Sequence, residues 1–226
     1  MKHLKKNFRK LAKERLFSLD KKKQIFSDKK ICKIIENEIH KRNAKNILIY
    51  LPMKHEVDIF PLIKSLRKIK KINLFTPFIV NDTFKIVPFR LPLRKNKYNI
   101  CESYNSTFIN FNKIDLAIVP ILGIDIYFGR VGFGRGMYDR FYANLKAKPF
   151  NIFVSRILNF ANVRITDNYD IVGDMVIANY TRTRRGNYDF IDNSWVYTKW
   201  GIFRCFSISY NKKSLCIKAK YCNRTS

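Results

Sequence analysis

Ile114-Asp-Leu-Ala-Ile-Val119, stopped by Pro120, leads through Ile121-Leu-Gly-Ile-Asp125 into Gly129-Arg-Val-Gly-Phe-Gly-Arg-Gly136 and then Met137-Tyr-Asp139. The opening run is apolar and of strand length. Met137 to Leu145 reads as a helix, so the segment is strand, glycine-rich loop, helix. Glycine admits positive φ and lets backbone approach a ligand closely. Successive N–H groups ahead of a helix N-terminus form a ready anion site. Arg130 and Arg135 add charge, so the guest this favours is a phosphate. A plain structural turn satisfies the same spacing. The loop is neither a Walker A motif, lacking GK[ST], nor a dinucleotide fingerprint, because Gly132-x-Gly134-x-Gly136 lacks the second spacer residue. Asp139 falls in the first helical turn, where a carboxylate can hold Mg²⁺ against phosphate oxygens.

Outward from this segment the pattern alternates strand and helix. Asn46-Ile-Leu-Ile-Tyr-Leu51, ended by Pro52, predicts a strand buried on both faces. Ile59, Leu62, Ile63 and Leu66 give a helix that Asp58 can cap, with Pro61 in its first turn. Ile72–Phe75, Thr83–Val87, Phe150–Val154 and Met175–Ala178 complete the predicted strands. Towards the N-terminus, Leu4, Phe8, Leu11, Ala12 and Leu16 predict the apolar face of an amphipathic helix, with the stem of Arg15 beside it. Lys5 and Arg9, four apart, then share a neighbouring stripe; periodicity alone reads them as a solvated basic face. A second helix, capped by Ser18 or Asp20, carries Ile25, Phe26, Cys32, Ile35 and Ile39. This βαβ alternation predicts an α/β fold with a mostly parallel sheet and helices on its faces.

The 226 residues are enough for one domain, or one domain with an appendage. Hydrophobic residues at 46% and aromatics at 15% exclude global disorder. No apolar run approaches the roughly 18 residues of a membrane helix. The Lys-rich start lacks the apolar core of a secretory signal. Cys32, Cys101, Cys205, Cys216 and Cys222 form no CxxC pair and are odd in number, so reduced thiols in a cytoplasm are expected. The formal charge of +28 suits a polyanion or a small phosphorylated or polycarboxylate ligand, and equally a diffuse compositional bias towards Lys. Beyond Asn179 the texture changes. Residues 179–226 mix cations and aromatics, including Trp195 and Trp200, with no periodic helix, repeat or motif. An added hairpin, a partner-binding tail, a poorly ordered extension and an out-of-register translation product all fit that composition. The expected division is therefore residues 1–178 and a basic, aromatic extension 179–226 of unknown role.

Arg130-Val-Gly-Phe-Gly-Arg-Gly-Met-Tyr-Asp139 closely resembles the R-L-G-x-G-x-G-Y-Y-D signature of the 5-formyltetrahydrofolate cyclo-ligase family, also called methenyltetrahydrofolate synthetases. The resemblance runs over roughly residues 3–178. Lys5-x-x-x-Arg9 followed by Leu11 resembles the family's opening helix. Tyr50-Leu-Pro-Met-Lys-His-Glu56 resembles its first strand and substrate-side glutamate. Tyr98-Asn-Ile-Cys-Glu102 resembles its G-I-x-E-P turn, and Asp170 and Asp174 its late D-x-x-x-D. The chain departs at Met137, where the family has tyrosine, at Ser103 and Ile165, where it has proline, and at Gly129, displaced by one position.

The resemblance implies a three-layer α/β/α fold and the cyclisation of 5-formyltetrahydrofolate, with ATP, to 5,10-methenyltetrahydrofolate, ADP and phosphate. It implies that Lys5, Arg9 and the loop Arg130, Val131, Gly132, Phe133, Gly134, Arg135, Gly136, Met137 and Tyr138 bind ATP. It assigns Mg²⁺ to Asp139 and Asp170, catalysis to Arg130 and Asp139, and the folate to Leu51, Glu56 and Met137. The positive charge would also favour a polyglutamylated folate tail. Taken singly, these residues have plainer readings: a first-turn charge for Asp139, a loop cap for Asp170, a surface carboxylate for Glu56 and core packing for Leu51. Two rivals stand beside the resemblance. One is a basic RNA- or ribosome-associated protein stacking bases on Trp195 and Trp200, although no nucleic-acid motif is present. The other is a different ATP- or phosphosugar-handling enzyme on the same architecture.

Overall fold

The structure is a computed structural model that describes residues 2–104, 113–145, 147–185, 188–198 and 204–205. Beyond residue 178 it describes backbone alone, so the side chains of Trp195 and Trp200 lie outside the described residues. Two helices open the chain, α1 (Lys2–Phe17) and α2 (Lys21–Lys41), followed by β1 (Asn46–Leu48) and α3 (Phe60–Leu66). β2 (Asn73–Val80) and β3 (Thr83–Pro88) form a hairpin, and β4 (Leu93–Lys95) pairs with β5 (Cys101–Ser103). Then come β6 (Leu116–Pro120), β7 (Gly123–Asp125), β8 (Arg130–Val131) and α4 (Met137–Ala143). β9 (Phe150–Leu158), β10 (Phe160–Ala161), β11 (Met175–Arg185), β12 (Tyr188–Thr198) and β13 (Arg204–Cys205) follow.

The main sheet has the order β13-β12-β11-β9-β6-β1-β2-β3, and its five central strands, β11 to β2, are parallel. Its apolar runs divide with period two, because successive side chains of a strand point to opposite faces. Ile47, Ile49, Ile118, Ile152, Val154 and Ile177 meet Ile31, Ile35 and Ile39 of α2 and Leu62, Ile63 and Leu66 of α3. Leu48, Ala117, Val119, Phe153 and Val176 meet Phe141 and Tyr142 of α4 on the other face. The result is the predicted α/β architecture with helices on both sides of a mostly parallel sheet.

Two helical stripes differ from expectation, and for one reason. In α1 the packed side is Lys5, Phe8, Ala12 and Leu16, while Leu4 and Leu11 are each 53% exposed. In α2 it is Ser27, Ile31, Ile35 and Ile39 with Asp28 and Cys32 alongside, while Ile25 and Phe26 face solvent. Each stripe contains one charged residue that hydropathy excludes. Lys5 is buried because it meets Asp170, and Asp28 because it meets Arg156. A buried charge is tolerated when it is paired. Lys5 therefore does not lie on an exposed face.

Candidate active site

Past Pro120 at the end of β6, the chain crosses β7 and β8 and enters the glycine loop. Asp125 organises this crossing. Its fully buried carboxylate accepts N–H groups of Tyr127 and Gly129 on one oxygen, and N–H groups of Ile165 and Thr166 plus the Thr166 hydroxyl on the other. The segment that begins the loop is thereby tied to the segment that leads to Asp170. Burial pushes the Asp125 pKa up and these bonds pull it down, leaving it below the ordinary value.

Arg130 Nε and Nη2 donate to the Pro120 carbonyl at 3.3 and 2.9 Å, and its guanidinium lies 4.7 Å from the centre of the Tyr138 ring. Among the described residues no carboxylate lies within ion-pair distance of Arg130, although the side chain is buried. A Cβ at position 132 would collide with the guanidinium where Pro120 holds it, so any larger residue there would displace Arg130. Gly136 has φ of 64°, the left-handed conformation that starts α4.

Helix α1 docks against this loop. Arg9 Nε donates to the Gly132 carbonyl at 3.0 Å. Lys5 donates to Asp170 Oδ2 and lies 3.7 Å from Asp167. Asp170 Oδ2 also accepts the Asp167 N–H at 2.7 Å, and Asp139 Oδ1 faces the Ile171 N–H at 3.4 Å. Lys5, Asp139 and Asp170 thus converge from three distant parts of the chain.

Beside the loop lies a cavity of about 360 Å³, lined by Leu51, Glu56, Arg130, Arg135, Met137 and Tyr138 among others. It opens at the C-terminal ends of β1 and β6, the edge where open α/β sheets bind ligands. Glu56 is buried, and burial pushes its pKa up to about 7, against the pull of the Met53 N–H, Arg130 and Arg156. Burial likewise raises Tyr50 and Tyr138. Leu51, Glu56 and Met137 therefore share one cavity with the loop, whereas Lys5, Arg9, Asp139 and Asp170 do not line it.

The model of the 5-formyltetrahydrofolate cyclo-ligase family matches residues 1–162. The chain belongs to this family. It is 28% identical over 142 residues to the 5-formyltetrahydrofolate cyclo-ligase of Mycoplasma genitalium, covering 62% of this chain and 76% of that one. It is 30% identical over 121 residues to that of Haemophilus influenzae, covering 50% and 64%. Two solved structures share its fold. The Aquifex aeolicus 5,10-methenyltetrahydrofolate synthetase has a TM-score of 0.65 at 23% identity, covering 82% of this chain and 95% of that one. That of Mycoplasma pneumoniae has a TM-score of 0.61 at 23% identity, covering 76% and 96%.

For a cyclo-ligase, the carboxylates suit a hard cation. Asp139 Oδ2 and Asp170 Oδ1 have no hydrogen-bond partner among the described residues. No three His, Cys, Asp or Glu side chains cluster as a metal cage among those residues. Mg²⁺ matches such a donor set, because it takes one or two carboxylates and completes its shell with water and phosphate. Sequence reasoning missed Asp125, Asp167 and Lys13. Lys13 lines the cavity four residues after Arg9, so extending the Lys5–Arg9 spacing by one turn would have found it.

Proposed function

We propose that this chain catalyses the ATP-dependent cyclisation of 5-formyltetrahydrofolate to 5,10-methenyltetrahydrofolate, releasing ADP and phosphate. The observation behind this reading is the buried Arg130, without a carboxylate partner among the described residues, between the glycine loop and the cavity that holds Glu56. The formyl oxygen is a poor leaving group. Its attack on the γ-phosphorus expels ADP and turns that oxygen into a phosphate ester. N10 then attacks the activated carbon, the C–O bond breaks, phosphate departs and N10 loses its proton. Phosphoryl transfer needs positioned substrates and neutralised charge more than covalent help.

Arg130 would face the transferring phosphoryl group, and residues 130–138 would cradle the nucleotide with Arg9. Lys5, paired with Asp170, would turn its remaining N–H donors to the same phosphates. Mg²⁺ held by Asp139 and Asp170 would neutralise charge on the phosphate oxygens. Glu56 would take hydrogen bonds from the polar edge of the folate, against Leu51 and Met137. Residues 1–178 carry this chemistry in our reading, and 179–226 form an appendage. A cytoplasmic site of action fits the free thiols of Cys32 and Cys101. Among the described residues no helix is long and apolar enough to cross a membrane.

The test is the ATP-dependent rise of methenyl-folate absorbance on adding enzyme, and its loss in Arg130→Gln. No product with ATP and Mg²⁺ present would overturn the assignment. The polyglutamate preference has its own test. KM for a polyglutamate should fall below that for the monoglutamate, and the gap should close with added salt; equal values at low salt would refute it.

A further inference from the structure

Asp28 of α2 and Arg156 of β9 form a buried bidentate pair, with Nε on Oδ1 at 2.8 Å and Nη2 on Oδ2 at 2.7 Å. Nothing in the proposed chemistry uses either residue. A buried pair is a poor device for stability alone, since apolar residues of similar volume often serve as well. Its third bond shows what else it holds. Asp28 Oδ2 also accepts the N–H of Asp58 at 3.1 Å. The carbonyl of that same peptide group, on Val57, accepts the buried Tyr50 hydroxyl at 2.7 Å. The Val57–Asp58 peptide plane is thus gripped at both ends, by the ion pair on one side and by a cavity-lining tyrosine on the other. Cys32 Sγ reaches the next carbonyl, on Asp58, at 3.4 Å.

Glu56 immediately precedes this plane. Its own Oε2 accepts the Met53 N–H at 3.0 Å, closing a short loop whose direction the clamp sets. We propose that the Asp28–Arg156 pair is a positioning device for Glu56, holding the 53–58 loop from behind so that the carboxylate enters the folate cavity in one orientation. The proposal rests on the reading of Glu56 as a folate-binding residue. Neither Asp28 nor Arg156 lines the cavity. Arg156 also acts through its field. With Arg130 it favours the Glu56 carboxylate against burial, while Tyr50 and Tyr138 are the other titratable groups that feel Glu56. Asp28, in turn, screens Arg156 from behind.

The experiment compares Glu56→Gln, the double variant Asp28→Leu/Arg156→Leu, and the triple variant combining them. The apolar double variant should melt near the wild type and keep its KM for ATP. Its KM for 5-formyltetrahydrofolate should rise about tenfold, the scale for loss of an orienting partner. The limb of the kcat/KM profile that belongs to Glu56 should shift to higher pH, because a favouring charge is gone. In the triple variant the double substitution should add nothing to the effect of Glu56→Gln. A wild-type folate KM in the double variant, beside a raised one in Glu56→Gln, would overturn the positioning role alone. Additive effects in the triple variant would also overturn it. An unchanged folate KM in Glu56→Gln would instead overturn the folate-binding reading. If the double variant does not fold, Arg156→Lys keeps the charge but loses the fork. It should raise the folate KM and leave the pH limb in place, and an unchanged KM there counts against the proposal.

Discussion

Lys5 and Asp170, separated by 165 positions, form a buried ion pair that pins α1 to the segment before β11. Removing Lys5 leaves Asp170 without its cation, a loss of roughly 3–5 kcal/mol for a buried pair. Lys5→Ala should therefore lower the melting temperature as well as raise KM for ATP. Arg9→Ala should behave differently. Arg9 is half-buried and donates to a carbonyl, so its loss should weaken ATP kinetics by roughly 1.5–3 kcal/mol. Its effect on melting should be small. Thermal unfolding beside ATP kinetics separates the two. Equal melting temperatures would contradict the pair, and unchanged ATP kinetics in the double variant would return both residues to scaffolding.

Asp139 and Asp170 should differ in the same way. Asp139 accepts one long bond from Ile171 and pairs with no cation among the described residues. Asp139→Asn should raise the Mg²⁺ concentration needed for half-maximal rate and leave the fold intact. Asp170→Asn should affect Mg²⁺ more weakly, because water can replace one ligand, yet cost stability because Lys5 is stranded. Activity of Asp139→Asn at ordinary Mg²⁺ would remove Asp139 from the ion.

Burial raises Glu56 from 4.5 to about 7. Between these values the folded chain holds a proton that the unfolded chain has released. Stability from this group is therefore full at low pH and is lost as pH rises from about 4.5 through 7. At about 1.4 kcal/mol per unit the loss is on the order of 3 kcal/mol. Glu56→Gln should abolish it, so the variant should gain on the wild type as pH rises from 5 to 8. Parallel melting curves across that range would show that the carboxyl is not buried as the structure has it.

The strands were legible because each is an apolar run: Ile47, Ile118, Phe153 and Ile177 read as core from composition alone and are core. The glycine loop was legible because its spacing is unusual. What escaped was polar burial. Lys5, Asp28 and Asp125 look solvent-facing in a hydropathy pattern, and each becomes buried only through a partner more than forty residues away in sequence or through a set of backbone donors. A one-dimensional pattern contains no such pairing. The apolar run Ile72–Phe75 predicts only the first part of a strand that continues as β2 to Val80, because Pro77 and Ile79 pair with Ile86 and Phe84 of β3 in a hairpin that no local pattern announces.

β11 runs on to Arg185, and its pairing with β9 reaches Thr181 opposite Leu158. A cut after Asn179 removes the last two of those pairs, whereas a cut after Arg185 keeps them all. Truncation after Arg185 should therefore retain cyclo-ligase activity, since every proposed site residue precedes it. Truncation after Asn179 should retain the rate per folded molecule with a lower yield of soluble protein. Loss of soluble protein with both would show that β12 completes the core.

Met137 stands where the family's signature has tyrosine, and it lines the cavity half-buried, packed against the Phe84–Phe141 cluster. A thioether fills such space but offers a flat heteroaromatic ring no face to stack on. A tyrosine there would add an aromatic contact worth ~0.5–1.5 kcal/mol, or roughly two- to tenfold in affinity. Met137→Tyr should accordingly lower KM for 5-formyltetrahydrofolate by that factor. KM for ATP should stay constant, because in the proposed cradle residue 137 would meet the nucleotide through its backbone and the folate through its side chain. Steady-state kinetics with each substrate varied in turn reads both numbers. An unchanged folate KM would place the pterin away from residue 137, and a changed ATP KM would move Met137 from the folate side of the cavity to the nucleotide side.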